Sequence, residues 1–487
     1  MSALPNLSAL IESLSDARVL CIGDVMLDRY VLGAVERISP EAPIPVLRVE
    51  RETAMLGGAG NVVANIAALG GQARFAAIIG NDDAGRDVGD LLSALETVDA
   101  DLIAEDDRRT TLKTRFVGAG QQMVRADVET VQPLSPDSEA HSLECMADAL
   151  PRCACVILSD YGKGMLSDSL IQNAIDLAHG ANRKVVVDPK GRDYSRYRGA
   201  DLITPNKKEL MDATGMPVST DADVIAACEH LIESCGIGGV LATRSADGMT
   251  LVLKGAEPCH LKAEAREVFD VSGAGDTVIA TFALAWAAGA TAEDAARLAN
   301  TAAGIVVGKA GTATVSVQEL SRKLHQQDLD QAEAKLFDLD EAETQVARWR
   351  EQGLKIGFTN GCFDLLHPGH ISLLSQARTA CDRLVVGLNS DSSVRGLKGD
   401  TRPVQSEAAR AAVLGALAAV DLVVLFSDET PITLIETLRP DVLVKGADYT
   451  VETVVGADIV QGYGGKVVLA QLVDGHSTTN TIARLAQ

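Results

Sequence analysis

No two cysteines in this 487-residue chain are spaced Cys-x-x-Cys, and the nine present are an odd number with no paired framework. A zinc ribbon and a thioredoxin-like motif are thereby excluded, and the thiols read as small hydrophobic side chains in a reducing compartment. Basic residues are also short: 44 Lys and Arg stand against 67 Asp and Glu, a formal charge of −23. A surface that acidic repels phosphodiester backbones and anionic lipid, so neither nucleic acid nor a membrane is an expected partner. Local basic pockets for small phosphates remain open to it. Long apolar runs are missing too: the longest, Val278 to Ala290, falls short of the roughly 18–20 residues of a membrane span. Met1 to Asp16 has no basic start and no apolar core, so it does not read as a secretory signal, and a cytoplasmic location is expected. What is present, 47% hydrophobic and 23% charged residues, is the balance of a folded protein. At about 150 residues per domain, the length calls for more than one.

Short β-branched runs alternate with alanine-rich helical stretches, the pattern of a parallel sheet covered by helices. Val19-Leu20-Cys21-Ile22, Val156-Ile157-Leu158, Val185-Val186-Val187, Leu202-Ile203 and Val240-Leu241-Ala242 lack polar alternation, so they read as fully buried strands. A polar residue closes each: Asp24, Asp160, Asp188, Asn206 and Thr243. Ligands of open parallel sheets bind beyond the carboxyl ends of the strands, so this row suggests one shared cleft. Val31 to Glu52, with Pro40, Pro43 and Pro45 and no helical period, reads as a strand excursion serving as a lid. Composition turns charged and helix-forming around Gln318 to Arg350. There Asp338 and Glu341 fit a capping box, and Gly353 fits a helix end. Strands then resume at Lys355–Thr359, Leu384–Leu388, Leu422–Phe426, Val442–Val444 and Val467–Leu469. The expected division is a first domain over 1–330, a charged helical linker over 331–350 and a second domain over 351–487.

Four elements of the first half carry chemistry. Asp270-Val271-Ser272-Gly273-Ala274-Gly275-Asp276 precedes an apolar helical run. Its glycines let backbone N–H groups converge on a transferring phosphoryl group, and Asp276 could take a proton from an attacking hydroxyl. Alone, the string fits a Gly-rich turn with an N-cap Asp equally well. Gly57-Gly58-Ala59-Gly60-Asn61 opens another helix, where a sugar ring could approach the backbone and hydrogen-bond to Asn61. Asn206-Lys207-Lys208-Glu209 follows a strand, and Glu209 could organise Mg²⁺ through water. Thr243 to Gly248 is a strand-to-turn element suited to nucleotide phosphates.

In this order and spacing the four resemble the ribokinase (PfkB) family of sugar kinases over roughly residues 15–320. The resemblance implies Asp276 as catalytic base and Gly273, Ala274 and Gly275 as the anion hole. It implies ATP at Asn206, Lys207, Lys208 and Glu209 and at Thr243 to Gly248, with Asn300 near the adenine. Gly23, Asp24, Asp28, Gly57, Gly58 and Asn61 would face the sugar. Ser245 stands where the family usually has Gly. Lys163 and Lys190 lie in strings beside the cleft and suit a substrate that already carries a phosphate, although surface lysines explain them as well.

In the second half, Gly361-Cys362-Phe363-Asp364-Leu365-Leu366-His367-Pro368-Gly369-His370 follows a strand ending at Thr359-Asn360. Pro368 and Gly369 fit a first helical turn. His367 and His370, three apart, share a face and can donate to an α-phosphate as its charge grows. A zinc pair is the rival reading, but no third ligand lies at suitable spacing. Lys398 to Pro403, including Arg402, and Lys445 supply cations for a triphosphate, although surface roles fit the two lysines equally. Ser477, Thr478 and Thr479 open the last helix, where they could hold pyrophosphate or simply cap it. The ten-residue string resembles the cytidylyltransferase-like nucleotidyltransferases. That resemblance implies ATP around Thr359, Asn360, Gly361, Phe363, Asp364 and Gly369.

The order kinase, charged stretch, HxGH transferase is similar to the bifunctional heptose-phosphate kinase–adenylyltransferases, including the strings SDYGKG, TNGCFDLLHPGH and VKGADY. The expected fold is α/β in two domains, a ribokinase-like parallel sheet with a small β lid and then a Rossmann-like sheet. The resemblance implies phosphorylation of D-glycero-β-D-manno-heptose 7-phosphate to the 1,7-bisphosphate. It also implies adenylyl transfer from ATP to heptose 1-phosphate, giving ADP-heptose and pyrophosphate for lipopolysaccharide core. ATP and Mg²⁺ are the expected cofactors, sugar phosphates the partners, and a homodimer the assembly. Another sugar kinase fused to another nucleotidyltransferase is the alternative enzyme. A nucleotide-sensing regulator is the alternative of a different class, and the joint presence of Asp276 and the two histidines argues against it.

Overall fold

Apolar runs without polar alternation must be covered on both faces, and the first unit satisfies them with a central sheet between helical layers. The computed structural model describes residues 7–118, 120–264, 270–309, 311–333, 335–447 and 449–471. The chain divides into two units, Pro5–Leu324 and one comprising His325–Gln487. In chain order the strands of the first are β1 (Arg18–Gly23), β2 (Val25–Ile38), β3 (Pro45–Gly58), β4 (Gln72–Gly80), β5 (Val98–Glu105), β6 (Thr111–Gly118), β7 (Gln121–Val128), β8 (Cys155–Ser159), β9 (Lys184–Asp188), β10 (Leu202–Ile203), β11 (Gly239–Thr243), β12 (Met249–Leu253) and β13 (Cys259–Leu261). Nine form one sheet in the order β13-β12-β11-β10-β9-β8-β1-β4-β5. It is parallel from β11 to β5, and β12 and β13 add an antiparallel edge. Alternate residues of β1 feed opposite layers: Val19 and Cys21 join one apolar core, Leu20 and Ile22 the other. The long apolar stretch forms helix Ala274–Ala287, which is buried nearly all round as a core helix rather than a membrane span. No described helix is long and apolar enough to cross a membrane.

After β1 the chain builds outward first through β4 and β5 and later through β8 to β11, so the order switches at β1. A crevice opens beyond the carboxyl ends at such a switch. It is roofed by the remaining strands, a four-stranded sheet in the order β3-β2-β6-β7. The lid begins and ends further out than Val31 to Glu52 and includes two strands, β6 and β7, that carry no alternating pattern. Every residue of β7 is exposed, so burial imposes no period on its sequence.

The second unit contains β14 (Leu336–Phe337), β15 (Ile356–Gly361), β16 (Arg383–Asn389), β17 (Leu422–Phe426), β18 (Val442–Gly446) and β19 (Lys466–Ala470). Their order is β14-β17-β16-β15-β18-β19, with every pair parallel. The stretch expected as a linker over 331–350 is not a free connector. Leu336-Phe337 pairs with β17, and helix Leu339–Glu351 buries Ala342 and Val346 in this unit's core. Charge on the helix's outer face had hidden a two-residue apolar contact. The helix starts as expected, with Asp338 and Glu341 forming a reciprocal capping box.

Candidate active sites

In the first unit, Gly273 caps helix Ala274–Ala287 in the left-handed conformation and puts Asp276 in its first turn, 4% exposed. Both carboxylate oxygens are held. Asn61 donates through Nδ2 to Oδ2 at 2.7 Å, and the Tyr161 hydroxyl donates to Oδ1. Burial raises the Asp276 pKa to about 6, against the opposite pull of the Tyr161 and Asn61 hydrogen bonds. A carboxylate so placed is a base poised near neutrality. Asn61, expected at the sugar, thus spends its amide on Asp276, and Asn65 in turn donates to the Asn61 carbonyl at 2.9 Å.

Asp24 is likewise taken by the protein: it accepts from the backbone N–H of Tyr161, Lys163 and Met165, each at 2.9 Å. It fixes the loop after β8 and thereby the hydroxyl on Asp276. Asp28 remains at the cleft, 3% exposed, paired with Arg115 at 2.5 Å. Gly58 has φ +57°, and a Cβ there would lie 2.6 Å from the Asp24 carbonyl oxygen, so only glycine fits this approach to β1. Gly57, its neighbour, lies against Asp28.

The expected nucleotide elements meet side by side. Asn206 and Glu209 form a capping box at helix Lys207–Thr214, Asn206 bridges to Thr243, and Lys207 pairs with Asp247 at 3.1 Å. Lys208 is exposed beside them. Ser245 adopts φ +54°, the left-handed region, which accounts physically for a glycine being usual there. Arg244, 6% exposed, ties this loop to Thr250 at 3.1 Å and to Asp221 at 2.7 Å. Asn300 donates to the Lys262 carbonyl at 2.8 Å, so its amide nitrogen braces residues 262–264. Glu209 also pairs with Lys190 at 3.0 Å. Burial, then the charges of Asp276 and Glu209, push Asp188 well above the ordinary carboxylate range. Such crowding of carboxylates is relieved by a divalent cation, and Asp188 and Glu209 are fitting partners for one. Tyr161 and Arg244 are side chains that sequence reading did not single out, whereas Asp188 was read only as one of the row of polar residues closing the strands. The same signal, a polar residue just past a strand's carboxyl end, was present for both of the missed ones.

In the second unit β15 runs into the HxGH string, and Pro368 opens helix Pro368–Thr379 with His367 as N-cap. Gly369 and His370 occupy the first turn, and the two imidazoles stack with centroids 3.8 Å apart. Burial, then the charges of His367 and Lys398, push His370 down to about 4. Its ring is therefore neutral at pH 7 and donates through one N–H. Neither histidine belongs to a trio of metal-ligating side chains among the described residues. The Phe363 ring lies 5.2 Å from His370. Thr359 Oγ1 and Asn360 Oδ1 are buried without a partner among the described residues, as expected of atoms that a ligand satisfies. Lys445 donates to the Asn360 carbonyl at 3.0 Å and so stands beside them.

Asp364 turns inward. Against the upward push of burial, the Gln405 N–H, Arg402 and the Val404 N–H hold it below its ordinary value. It pins Arg402 and the segment after it rather than facing solvent. Arg410, fully buried, was not anticipated. It donates to the carbonyls of Cys362 and Asn389 at 2.7 and 2.8 Å and pairs with Asp391 at 2.6 Å, locking the HxGH loop to β16. Ser477, Thr478 and Thr479 lie outside the described residues.

Comparison with known proteins bears on both units. The profile of the pfkB family carbohydrate kinases matches residues 16–319, and the cytidylyltransferase-like profile matches residues 358–479. Phosphofructokinase-2 from Escherichia coli, solved in complex with potassium, superposes with a TM-score of 0.54 at 21% identity. The match covers 64% of this chain and 98% of that one, and it shows the ribokinase-like fold. Fold and sites define a bifunctional ATP-using carbohydrate kinase and nucleotidyltransferase. The bifunctional protein HldE of Paramagnetospirillum magneticum is 57% identical over 485 residues, covering 99% of each chain. That of Rhodospirillum rubrum is 57% identical over 485 residues, covering 100% of this chain and 98% of its own. The chain belongs to this bifunctional HldE family.

Proposed function

We propose that the first unit phosphorylates the anomeric hydroxyl of D-glycero-β-D-manno-heptose 7-phosphate. Asp276 takes the hydroxyl proton, oriented by Asn61 and Tyr161, while the N–H groups from Gly273 to Gly275 receive the transferring phosphoryl group. ATP lies along Asn206 to Glu209 and Thr243 to Gly248, with Asn300 bracing the wall beside it. Asp188 and Glu209 would hold Mg²⁺, which when bound would supply charge neutralisation of the triphosphate. The second unit transfers adenylyl from ATP to D-glycero-β-D-manno-heptose 1-phosphate for lipopolysaccharide core. His367 and His370 donate to the α-phosphate, and Lys398, Arg402 and Lys445 balance the triphosphate. Ser477 to Thr479 receive the pyrophosphate.

The observation carrying the kinase reading is the buried carboxylate of Asp276, gripped at both oxygens and poised at about 6. The heptose identity rests on the family resemblance over nearly the whole chain. The kinase product and the transferase substrate differ by the distal phosphate, so a separate phosphatase acts between the steps. A cytoplasmic location is supported by nine free cysteines. A homodimer is supported by Ile38, Val49 and Val124, apolar side chains at least half exposed on the lid sheet. Incubation with ATP, Mg²⁺ and a panel of sugar phosphates, with products identified by mass, tests the reading. Heptose 1,7-bisphosphate from the 7-phosphate and ADP-heptose from the 1-phosphate are expected, and preferential turnover of another sugar would replace the heptose assignment.

A further inference from the structure

The lid brings more positive charge to the kinase cleft than its own carboxylates use. In β6, Lys113 stands opposite Asp28 of β2 and Asp127 of β7, and Arg115 stands opposite Tyr30 and Arg125. Residues two apart in a strand share a face, so these side chains project from one side of the sheet. That side looks onto the reacting end of the cleft. Tyr30 approaches Gly311, whose N–H binds Asp270 just before the anion hole, and Lys113 is near enough for its charge to pull on Asp276.

Most of the cations there are spoken for. Arg115 pairs with Asp28 at 2.5 Å, Arg125 with Asp127 at 2.9 Å, and Lys163 with Glu129 at 2.6 Å. Lys113 is half-buried and makes no ion pair or hydrogen bond among the described residues. Burial pulls its pKa down, opposed by Asp28 and Asp127, whose carboxylates are already paired with Arg115 and Arg125. An ammonium withdrawn from water without a partner is disfavoured unless a ligand brings the counter-charge. Lys163 lies close by, its own backbone N–H fixed on Asp24 at 2.9 Å. In a protein of charge −23, a half-buried excess cation over the sugar site is an anion receptor rather than a solvated surface lysine.

We propose that Lys113, with Lys163 beside it, binds the phosphate that the sugar already carries, and so selects phosphorylated over unphosphorylated sugars. The assignment rests on the first unit's reading as a sugar-phosphate kinase. It extends that reading to the residue that recognises the far end of the substrate. A phosphate dianion bonds to the free ammonium of Lys113 and competes with Glu129 for Lys163.

The test compares full-length wild type, Lys113→Met and Lys113→Arg on two substrate pairs, heptose with heptose 7-phosphate and mannose with mannose 6-phosphate. Wild type is expected to prefer the phosphorylated member. Lys113→Met should lower kcat/KM for it by on the order of 10²-fold, mainly through KM, as for loss of one partner of a desolvated charge pair. The unphosphorylated sugar should lose much less, and Lys113→Arg should restore most of the preference. Equal losses on both members, or a preference unchanged by Lys113→Met, would overturn the assignment, as would a wild type indifferent to the phosphate. Failure of the heptose reading alone looks different: mannose outperforms heptose while the phosphate preference and its dependence on Lys113 persist.

Discussion

Asp276 is a carboxylate whose protonation is set chiefly by the burial that raises its pKa to about 6 and by the Tyr161 and Asn61 bonds that oppose the rise. A base must be ionised to act, so kinase kcat/KM should be full at neutral pH and above, and fall by half as pH drops to about 6. Tyr161→Phe removes a bond that favours the charged form, so the fall should begin at higher pH. An acid limb unmoved by Tyr161→Phe would show that Asp276 does not govern it. Ser245 gives a stability expectation at the same scale. A non-glycine residue in the left-handed region costs about 1–2 kcal/mol, partly offset by the entropy a glycine would lose. Ser245→Gly should therefore stabilise the first unit by on the order of 1 kcal/mol in a thermal melt. Destabilisation would mean that the serine side chain contributes more than its strain costs.

Among elements, short runs buried on both faces were legible, and exposed or very short strands were not. Val156 to Leu158 and Leu422 to Phe426 are buried on both faces, so their composition alone marks them. β7 is exposed throughout and β14 has only two residues, of which Phe337 alone is partly buried, so neither writes a pattern into the sequence. Motif positions in the site were legible for the same reason that chemistry restricts residue types. Which atom each side chain grips was not, because Asn61, Asp24 and Asp364 meet partners 215, 141 and 40 residues away. Arg410 is the sharpest example. Nothing near it in sequence reveals that it is fully buried against Cys362 and Asn389. Arg410→Met would leave those carbonyls and Asp391 unpaired, a loss of about 3–5 kcal/mol for a broken buried pair. A lower unfolding temperature and impaired adenylyl transfer, with kinase turnover retained, are expected. A wild-type melt would show that the guanidinium does not hold the loop.

At the scale of the whole molecule, each unit has its own sheet and its own apolar cores. Fragments divided near Leu324 should each be soluble and active, provided the second retains β14, which pairs with β17. Fragments that recover only on co-expression would show instead that the units depend on a common core. Each site is assigned to residues of one unit, so the two phosphate transfers are expected to fail separately.

That claim is tested most directly by Asp276→Asn and His370→Ala, each assayed for both reactions with products resolved by mass. Asp276→Asn should lower sugar phosphorylation by about 10²–10⁴-fold, the usual cost of losing a general base, and leave adenylyl transfer near wild type. His370→Ala should show the reverse, losing about 10²–10³-fold in adenylyl transfer with phosphorylation intact. Either variant depressing both reactions together, or Asp276→Asn phosphorylating within a few-fold of wild type, would contradict the account.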